Sequence, residues 1–199
     1  MQIGLLNYGA SNLGSIRSAL RQLHLNFIDV SRPEDISKVD HLIIPGVGSF
    51  QSGIQNLTHS GMSEEVLNFA KSGRYLLGIC LGMHLLATFG EEGGGASGLD
   101  LISGHVVKLP KAKNNRVPHV GWDLLTNQKN QKKDFAYFAH SYYFEVSPNE
   151  NCEMTFTFDW EGKSIPAVIE KGNIVGIQFH PEKSNIFGLQ LLANQLKQK

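Results

Sequence analysis

The first half of the chain alternates between short apolar runs and segments whose apolar residues recur at helical spacing. The strand-like runs are residues 2–8, 26–30, 41–46 and 74–79. The helix-like segments are residues 13–23, 62–73 and 81–89. Such alternation is typical of a parallel sheet with helices on both faces. In these sheets, binding and catalytic sites lie at the carboxyl ends of the strands.

The pattern changes after about residue 98, where strands follow one another with short turns. The predicted strands are residues 99–109, 135–146, 152–160, 164–172 and 173–179, and a final helix is predicted over 186–198. Several of these strands are expected to be antiparallel. We therefore expect one α/β domain over residues 1–199, with a central, mostly parallel sheet flanked by helices and an additional antiparallel β portion.

The composition excludes several classes of protein. Lys and Arg together number 18, as do Asp and Glu, so no basic excess suggests nucleic-acid binding. The N-terminus has neither the charge nor the apolar length of a signal peptide. No apolar stretch approaches the ~20 residues of a membrane-spanning helix. Two cysteines do not form a disulfide framework, so a reduced, cytoplasmic protein is expected.

A lone cysteine lies where a predicted strand gives way to a helix. Residues 78–82, with the sequence GICLG, fit a nucleophile elbow in which Cys80 replaces serine. Glycines two residues to either side avoid collisions at so sharp a turn. The helix N-terminus favours a thiolate, and the N–H group of Leu81 is placed to donate to an oxyanion. The alternative is a buried structural cysteine.

A nucleophile needs a base and a group that orients it. The apolar run 174–179 is followed by His180, Pro181 and Glu182. Residues two apart in an extended segment face the same way, so Glu182 is predicted to hold one ring nitrogen of His180 while the other faces Cys80. The alternative is a surface loop, but the elbow favours the base. A third strand ends in Gly46, Val47 and Gly48, whose N–H groups are candidate oxyanion donors.

Together, the segments PGVGSF, GICLGM, PHVGWD, AHSYYF and GIQFHPEKS resemble the class I (triad) glutamine amidotransferases. Within that family the resemblance is to the glutaminase subunits of imidazole glycerol phosphate synthases, and it covers essentially the whole chain. It implies that Cys80 attacks the side-chain amide of glutamine. His180 would act as acid and base, Glu182 would orient it, and Leu81 with residues 46–48 would form the oxyanion hole.

The resemblance also implies how substrate and partner are bound. Residues implied to bind glutamine are His84, Glu92, Ser141 and Tyr142. Residues implied to contact a HisF-like (βα)8-barrel cyclase/synthase subunit in a heterodimer are Asn12, Trp122, Tyr137 and Lys183. The ammonia would pass to that subunit, which makes imidazole glycerol phosphate and AICAR in histidine biosynthesis. No cofactor and no metal are implied.

Two positions depart from the family pattern. His84 stands where the family usually has a glutamine that helps to bind the substrate. A neutral histidine donates one hydrogen bond and accepts one, so it is expected to substitute less completely. Asp123 stands where asparagine is usual. Both departures leave open a paralogous role, in which the ammonia amidinates sugars of bacterial surface polysaccharides.

Three alternative interpretations assign the chain a different kind of function. Residues 9–14 follow a strand and open a helix, as in a dinucleotide-binding loop, but Ser11 occupies the position of its middle glycine. Cys80 and His84 share one helix face but are too few to enclose zinc. A catalytically silent scaffold for the barrel partner is the third reading, prompted by His84.

Overall fold

The structure is a computed structural model that describes residues 1–9, 13–111 and 116–197. The strands are β1 (Ile3–Leu6), β2 (Phe27–Val30), β3 (His41–Ile44), β4 (Tyr75–Ile79), β5 (Phe89–Gly90), β6 (Ala96–Ser97), β7 (Gly104–Lys108), β8 (His119–Asn127), β9 (Lys133–His140), β10 (Tyr142–Val146), β11 (Glu153–Trp160), β12 (Lys163–Lys171) and β13 (Ile174–Ile177). The α-helices are α1 (Leu13–Gln22), α2 (Phe50–His59), α3 (Met62–Lys71), α4 (Leu81–His84) and α5 (Asn185–Lys197). Two 3₁₀ turns cover Pro33–Lys38 and Pro181–Lys183.

Nine strands of the described chain form the larger sheet, in the order β2-β1-β3-β4-β13-β12-β11-β8-β9. The strands from β2 to β13 are parallel to one another, and those from β12 to β9 are antiparallel. We call these the parallel half and the antiparallel half. Strands β10, β7, β5 and β6 form a second, smaller sheet. The predicted α/β fold with an added antiparallel portion is confirmed.

The parallel half is buried on both faces because successive side chains of its strands point in opposite directions. Along β4, Leu77 and Ile79 pack with Ile16 of α1 and Leu192 of α5. Leu76, the residue before Leu77, packs on the other face with residues of α2 and α3. The helices thus cover both faces and leave the carboxyl ends of the strands open for a site.

The helices of the structure differ from the sequence prediction in two places. The first is helix α2, which the sequence analysis does not predict. Its N-terminus is capped by Ser49, whose side chain accepts a hydrogen bond from the N–H of Ser52 at 3.3 Å. The helix predicted over 81–89 ends at His84. The carbonyl of Leu85 accepts instead from the N–H of Leu99, at 2.9 Å, so the chain leaves the helix. Tertiary hydrogen bonds override the apolar spacing here.

The strand predicted over 135–146 is divided between the two sheets. It breaks at Ser141, with β9 at the edge of the larger sheet and β10 in the smaller one. The carbonyl of Ser141 accepts from the N–H of Leu109, at 2.9 Å. The break places residues 140–142 where the two sheets meet. No helix among the described residues is long and apolar enough to cross a membrane.

Candidate active site

Cys80 occupies a strained turn between β4 and α4. Its φ of 54° and ψ of −111° are rarely adopted by a residue with a side chain. The structure shows the steric reason that was predicted for the two flanking glycines. A Cβ on Gly78 would lie 2.5 Å from the carbonyl oxygen of Gly82, and a Cβ on Gly82 would collide with the carbonyl of Ile44. The backbone of the elbow is therefore packed directly against β3.

The sheet brings His180 to the same edge as Cys80. Strand β13 pairs in parallel with β4, with Ile177 opposite Ile79. The N–H of Cys80 donates to the carbonyl of Ile177 at 2.7 Å, which ties the two strand ends together. The N–H of His180 donates to the carbonyl of Tyr137 at 2.9 Å, which ties it to the antiparallel half.

The structure brings Cys80, His180 and Glu182 together. Nδ1 of His180 lies 3.0 Å from Oε1 of Glu182, and His180 lines the same pocket as Cys80. Burial lowers the pKa of His180, but the hydrogen bonds and charges of Cys80 and Glu182 outweigh it and raise the pKa to about 10. The imidazole is therefore positively charged at neutral pH, with its two acidic neighbours as partners.

A buried serine, missed in the sequence analysis, holds His180 in place. Oγ of Ser184 donates to the carbonyl of His180 at 2.7 Å and accepts from the N–H of Tyr137 at 3.0 Å. The second carboxylate oxygen of Glu182 has no hydrogen-bond partner among the described residues. Glu182 borders a cavity of about 30 Å³, which has room for about one water molecule.

A pocket of about 370 Å³ opens above the elbow. Its size falls in the usual range for small-molecule sites. All four residues implied to bind glutamine line it, together with Cys80 and His180: His84, Glu92, Ser141 and Tyr142. The antiparallel half and the parallel half therefore each supply a wall of one pocket.

Three of the four residues predicted for the oxyanion hole line this pocket, namely Leu81, Val47 and Gly48. Gly46 instead borders the 30 Å³ cavity. A Cβ on Gly46 would lie 2.6 Å from the hydroxyl of Tyr8 and 2.9 Å from Cβ of Leu81. That hydroxyl donates to the carbonyl of Pro45 at 2.7 Å, so Tyr8 fixes the start of this segment. Burial, and then the charge of Cys80, raises the pKa of Tyr8.

His84 and Glu92 are each held by a second group. Nε2 of His84 lies 2.8 Å from Oε1 of Gln178. Burial, opposed by this hydrogen bond, lowers the pKa of His84 to about 4, so the ring is neutral and donates to Gln178. Oε2 of Glu92 accepts from the N–H of Phe50 at 3.1 Å, which binds the carboxylate to the first turn of α2. Burial raises the pKa of Glu92, and this hydrogen bond opposes the shift.

Three of the four residues implied to contact a partner lie together near the pocket. The rings of Trp122 and Tyr137 meet edge to face at 6.1 Å. Nζ of Lys183 lies 5.7 Å from the centre of the Tyr137 ring, and Lys183 also lines the pocket. Asn12, like Ser11 of the dinucleotide alternative, lies outside the described residues. Among those described, no cluster of three or more His, Cys, Asp or Glu residues could hold a metal ion.

Sequence reasoning also missed a pair of histidines on the antiparallel half. His119 of β8 and His140 of β9 are directly opposite each other, and His140 lines the pocket. The only signal in the sequence was that His119 lies within PHVGWD and His140 within AHSYYF, two of the segments that carry the resemblance. Their contact depends on the register of the hairpin, which spacing alone does not determine.

Comparison with known families agrees with this geometry. A model of the family described as glutamine amidotransferase class-I matches residues 4–199. The chain belongs to the class I glutamine amidotransferases. The resemblance stated from the sequence is thereby confirmed, and the chain is a glutamine amidotransferase.

Curated relatives of this glutamine amidotransferase cover nearly its full length. A protein of Caldanaerobacter subterraneus subsp. tengcongensis, named imidazole glycerol phosphate synthase subunit HisH, is 42% identical over 96% of both chains. The Bacillus subtilis protein of the same name is 38% identical over 98% of this chain and 95% of its own.

Solved structures confirm the amidotransferase fold. A crystal structure of a glutamine amidotransferase superposes with a TM-score of 0.78 at 19% identity, over 98% of this chain and 97% of that one. The structure of PurLQS from Thermotoga maritima gives a TM-score of 0.72 at 17% identity, over 98% of this chain and 99% of that one.

Proposed function

We propose that this chain is the glutaminase subunit of an imidazole glycerol phosphate synthase and supplies ammonia for histidine biosynthesis. The observation that carries the proposal is that Cys80 and His180 line one pocket, with Oε1 of Glu182 3.0 Å from Nδ1 of His180. The relatives named as HisH subunits support the pathway. The match over residues 4–199 supports a single amidotransferase domain.

In the first half of the reaction, Sγ of Cys80 attacks the side-chain amide carbon of glutamine. The carbonyl oxygen gains negative charge, which the N–H groups of Leu81 and of the 46–48 segment are proposed to stabilise. His180, charged before the reaction, gives its proton to the departing nitrogen. The C–N bond breaks, ammonia leaves, and a glutamyl thioester remains on Cys80.

In the second half, a water molecule attacks the thioester. His180 takes a proton from the water as it attacks, and Glu182 holds the ring so that the same nitrogen faces the reacting atoms. The C–S bond breaks, and glutamate leaves with the oxygen of the water. Glutamine and water are thus converted to glutamate and ammonia, and the enzyme is unchanged.

Substrate is assigned to the pocket and the partner to a cluster of residues beside it. We propose that His84, Glu92, Ser141 and Tyr142 hold the glutamine. Trp122, Tyr137 and Lys183, with Asn12, would contact a HisF-like (βα)8-barrel cyclase, which receives the ammonia. The thiol nucleophile favours a reducing compartment, so we place the complex in the cytoplasm.

The test measures glutamate released from L-glutamine, by the protein alone and with a cyclase subunit from the same source plus its nucleotide substrate. We expect strong stimulation by the loaded partner. Cys80→Ala should abolish the release without unfolding the protein, while Cys152→Ala, outside the pocket, should retain it.

Each contrary outcome has a distinct meaning. Glutamate release that survives Cys80→Ala overturns the mechanism. No stimulation, with Cys80 still alkylated by a glutamine-like electrophile, overturns the pathway and favours the sugar-amidinating alternative. A stable complex that leaves glutamine untouched overturns the enzyme and favours a scaffold.

A further inference from the structure

A chain of polar contacts leads from the surface of β8 to the pocket. Oδ2 of Asp123 lies 3.1 Å from Nε2 of His119. Nδ1 of His119 lies 3.1 Å from Nε2 of His140. Nδ1 of His140 lies 2.8 Å from the carbonyl oxygen of Tyr142, which with Ser141 forms part of the pocket wall.

The first link requires a bend in the strand. Residues four apart in a straight strand are about 13 Å apart, too far for an imidazole and a carboxylate to touch. Gly121 lies midway between His119 and Asp123, and its φ of +138° is a conformation that residues with side chains rarely adopt. The backbone conformation of β8 at Gly121 therefore brings His119 and Asp123 into contact.

The positions of the protons follow from what each nitrogen faces. His140 must donate from Nδ1, because the carbonyl of Tyr142 only accepts. Burial lowers the pKa of His140 to about 3, and the charges of His119, His84 and His180 act in the same direction, against the bond to Tyr142. The ring is therefore neutral, and its Nε2 accepts.

His119 must then donate from Nδ1, because this nitrogen faces the accepting Nε2 of His140. Its Nε2 lies beside the carboxylate of Asp123. The ring also stacks at 4.8 Å on Phe138 and at 5.2 Å on Phe158. The carboxylate and the two aromatic rings together fix the orientation of His119.

We infer that Asp123 and His119 are positioning residues for the substrate: they fix the orientation of His140 and, through it, the pocket wall at Ser141 and Tyr142. The inference rests on the proposed function. Both nitrogens of His140 are occupied, so it presents a fixed ring to the pocket. Loss of the network should weaken binding of glutamine and leave the chemistry at Cys80 nearly unchanged.

The test measures binding of L-glutamine calorimetrically in a Cys80→Ala background, where no turnover occurs. We expect Asp123→Ala to raise the Kd about five- to tenfold, the size of change expected from the loss of one polar contact. Asp123→Asn, which keeps the shape and one accepting oxygen, should restore part of the affinity. Asp134→Asn, which removes a carboxylate from β9 outside the network, is the matched control and should leave the Kd unchanged.

A spectroscopic measurement separates positioning from a general structural effect. In ¹⁵N spectra of histidine-labelled protein, Asp123→Asn should shift the ring-nitrogen signals of His119 and, through it, those of His140. In turnover assays with Cys80 present, the substitution should raise KM and change kcat by less than twofold. An unchanged Kd with unchanged histidine signals in Asp123→Asn overturns the inference, while failure of the Cys80→Ala protein itself to bind glutamine overturns the proposed function.

Discussion

His180 and His140 line the same pocket and are equally buried, at 6% exposure each, yet they carry different charges. His180 follows β13 in the parallel half, and its pKa is raised to about 10. His140 ends β9 in the antiparallel half, and its pKa is lowered to about 3. Equal burial therefore does not produce equal chemistry.

The difference comes from the groups that each ring faces. Burial lowers the pKa of both histidines, but His180 faces a carboxylate and a thiol, which stabilise its charged form. His140 faces a carbonyl and another imidazole, and neither carries the negative charge that would stabilise a protonated ring. His180 in the parallel half is therefore suited to proton transfer, whereas His140 in the antiparallel half stays neutral and keeps one orientation.

The largest difference between the two histidines is expected in kcat when each is replaced by asparagine. His180→Asn should lower kcat for glutamate release by about 10³- to 10⁴-fold, because the general acid and base is lost. His140→Asn should lower kcat by less than about tenfold, since it carries no proton in the reaction. The measurement is steady-state glutaminase activity of the complex. Equal losses in the two variants would remove the distinction between the two halves.

A second change should make His180 resemble His140. Glu182→Gln keeps an accepting oxygen near Nδ1 but removes the negative charge. We expect the pKa of His180 to fall and kcat to fall by about 10²-fold, within the range for general acid–base catalysis. Histidine NMR titration and turnover measure the two effects. An unchanged His180 titration would mean that Cys80 alone holds the charge.

Acid stability tests the neutral histidines. The pKa of His84 is about 4 in the folded protein and about 6.5 in an unfolded chain. Because the folded value is lower, the stabilisation is present above pH 6.5 and is lost as the pH falls toward 4, at a cost of about 2 kcal/mol between pH 7 and pH 5. The His84→Gln protein has no imidazole at this position, so its free energy of unfolding should fall by about 2 kcal/mol less between pH 7 and pH 5. Urea denaturation at both pH values measures this difference. An equal fall in the free energy of unfolding of the two proteins would contradict the burial of His84 in its neutral form.

The smallest expected effect concerns the link between the halves. Ser184→Ala leaves the N–H of Tyr137 and the carbonyl of His180 without their partner. The free energy of unfolding should fall by about 1–2 kcal/mol. Chemical denaturation at pH 7.5 is the measurement. No change in stability would show that a water molecule replaces the hydroxyl.

The parallel half could be predicted from the sequence to a large extent. The elbow at Cys80 and the pair of His180 and Glu182 are local motifs, so their geometry depends on a few neighbouring residues. The rule that sites lie at the carboxyl ends of parallel strands then brought the two motifs together.

The antiparallel half could be predicted much less well. The contact between His119 and His140 depends on hairpin register, and the break at Ser141 depends on how two sheets meet. Gly46 also faces a different cavity from the one expected, because packing against Tyr8 and Leu81 determines its position. Long-range packing of this kind leaves no periodic signal in the sequence.

The position of β13 has a consequence for how the enzyme is made. This strand lies in the middle of the larger sheet, between β4 and β12, although it is the last strand to be synthesised. A chain still on the ribosome, with residues up to 171 exposed, has its elbow cysteine but neither its proton acceptor nor the centre of its sheet. A nascent chain of that length therefore lacks two of the three groups that the proposed reaction needs, His180 and Glu182.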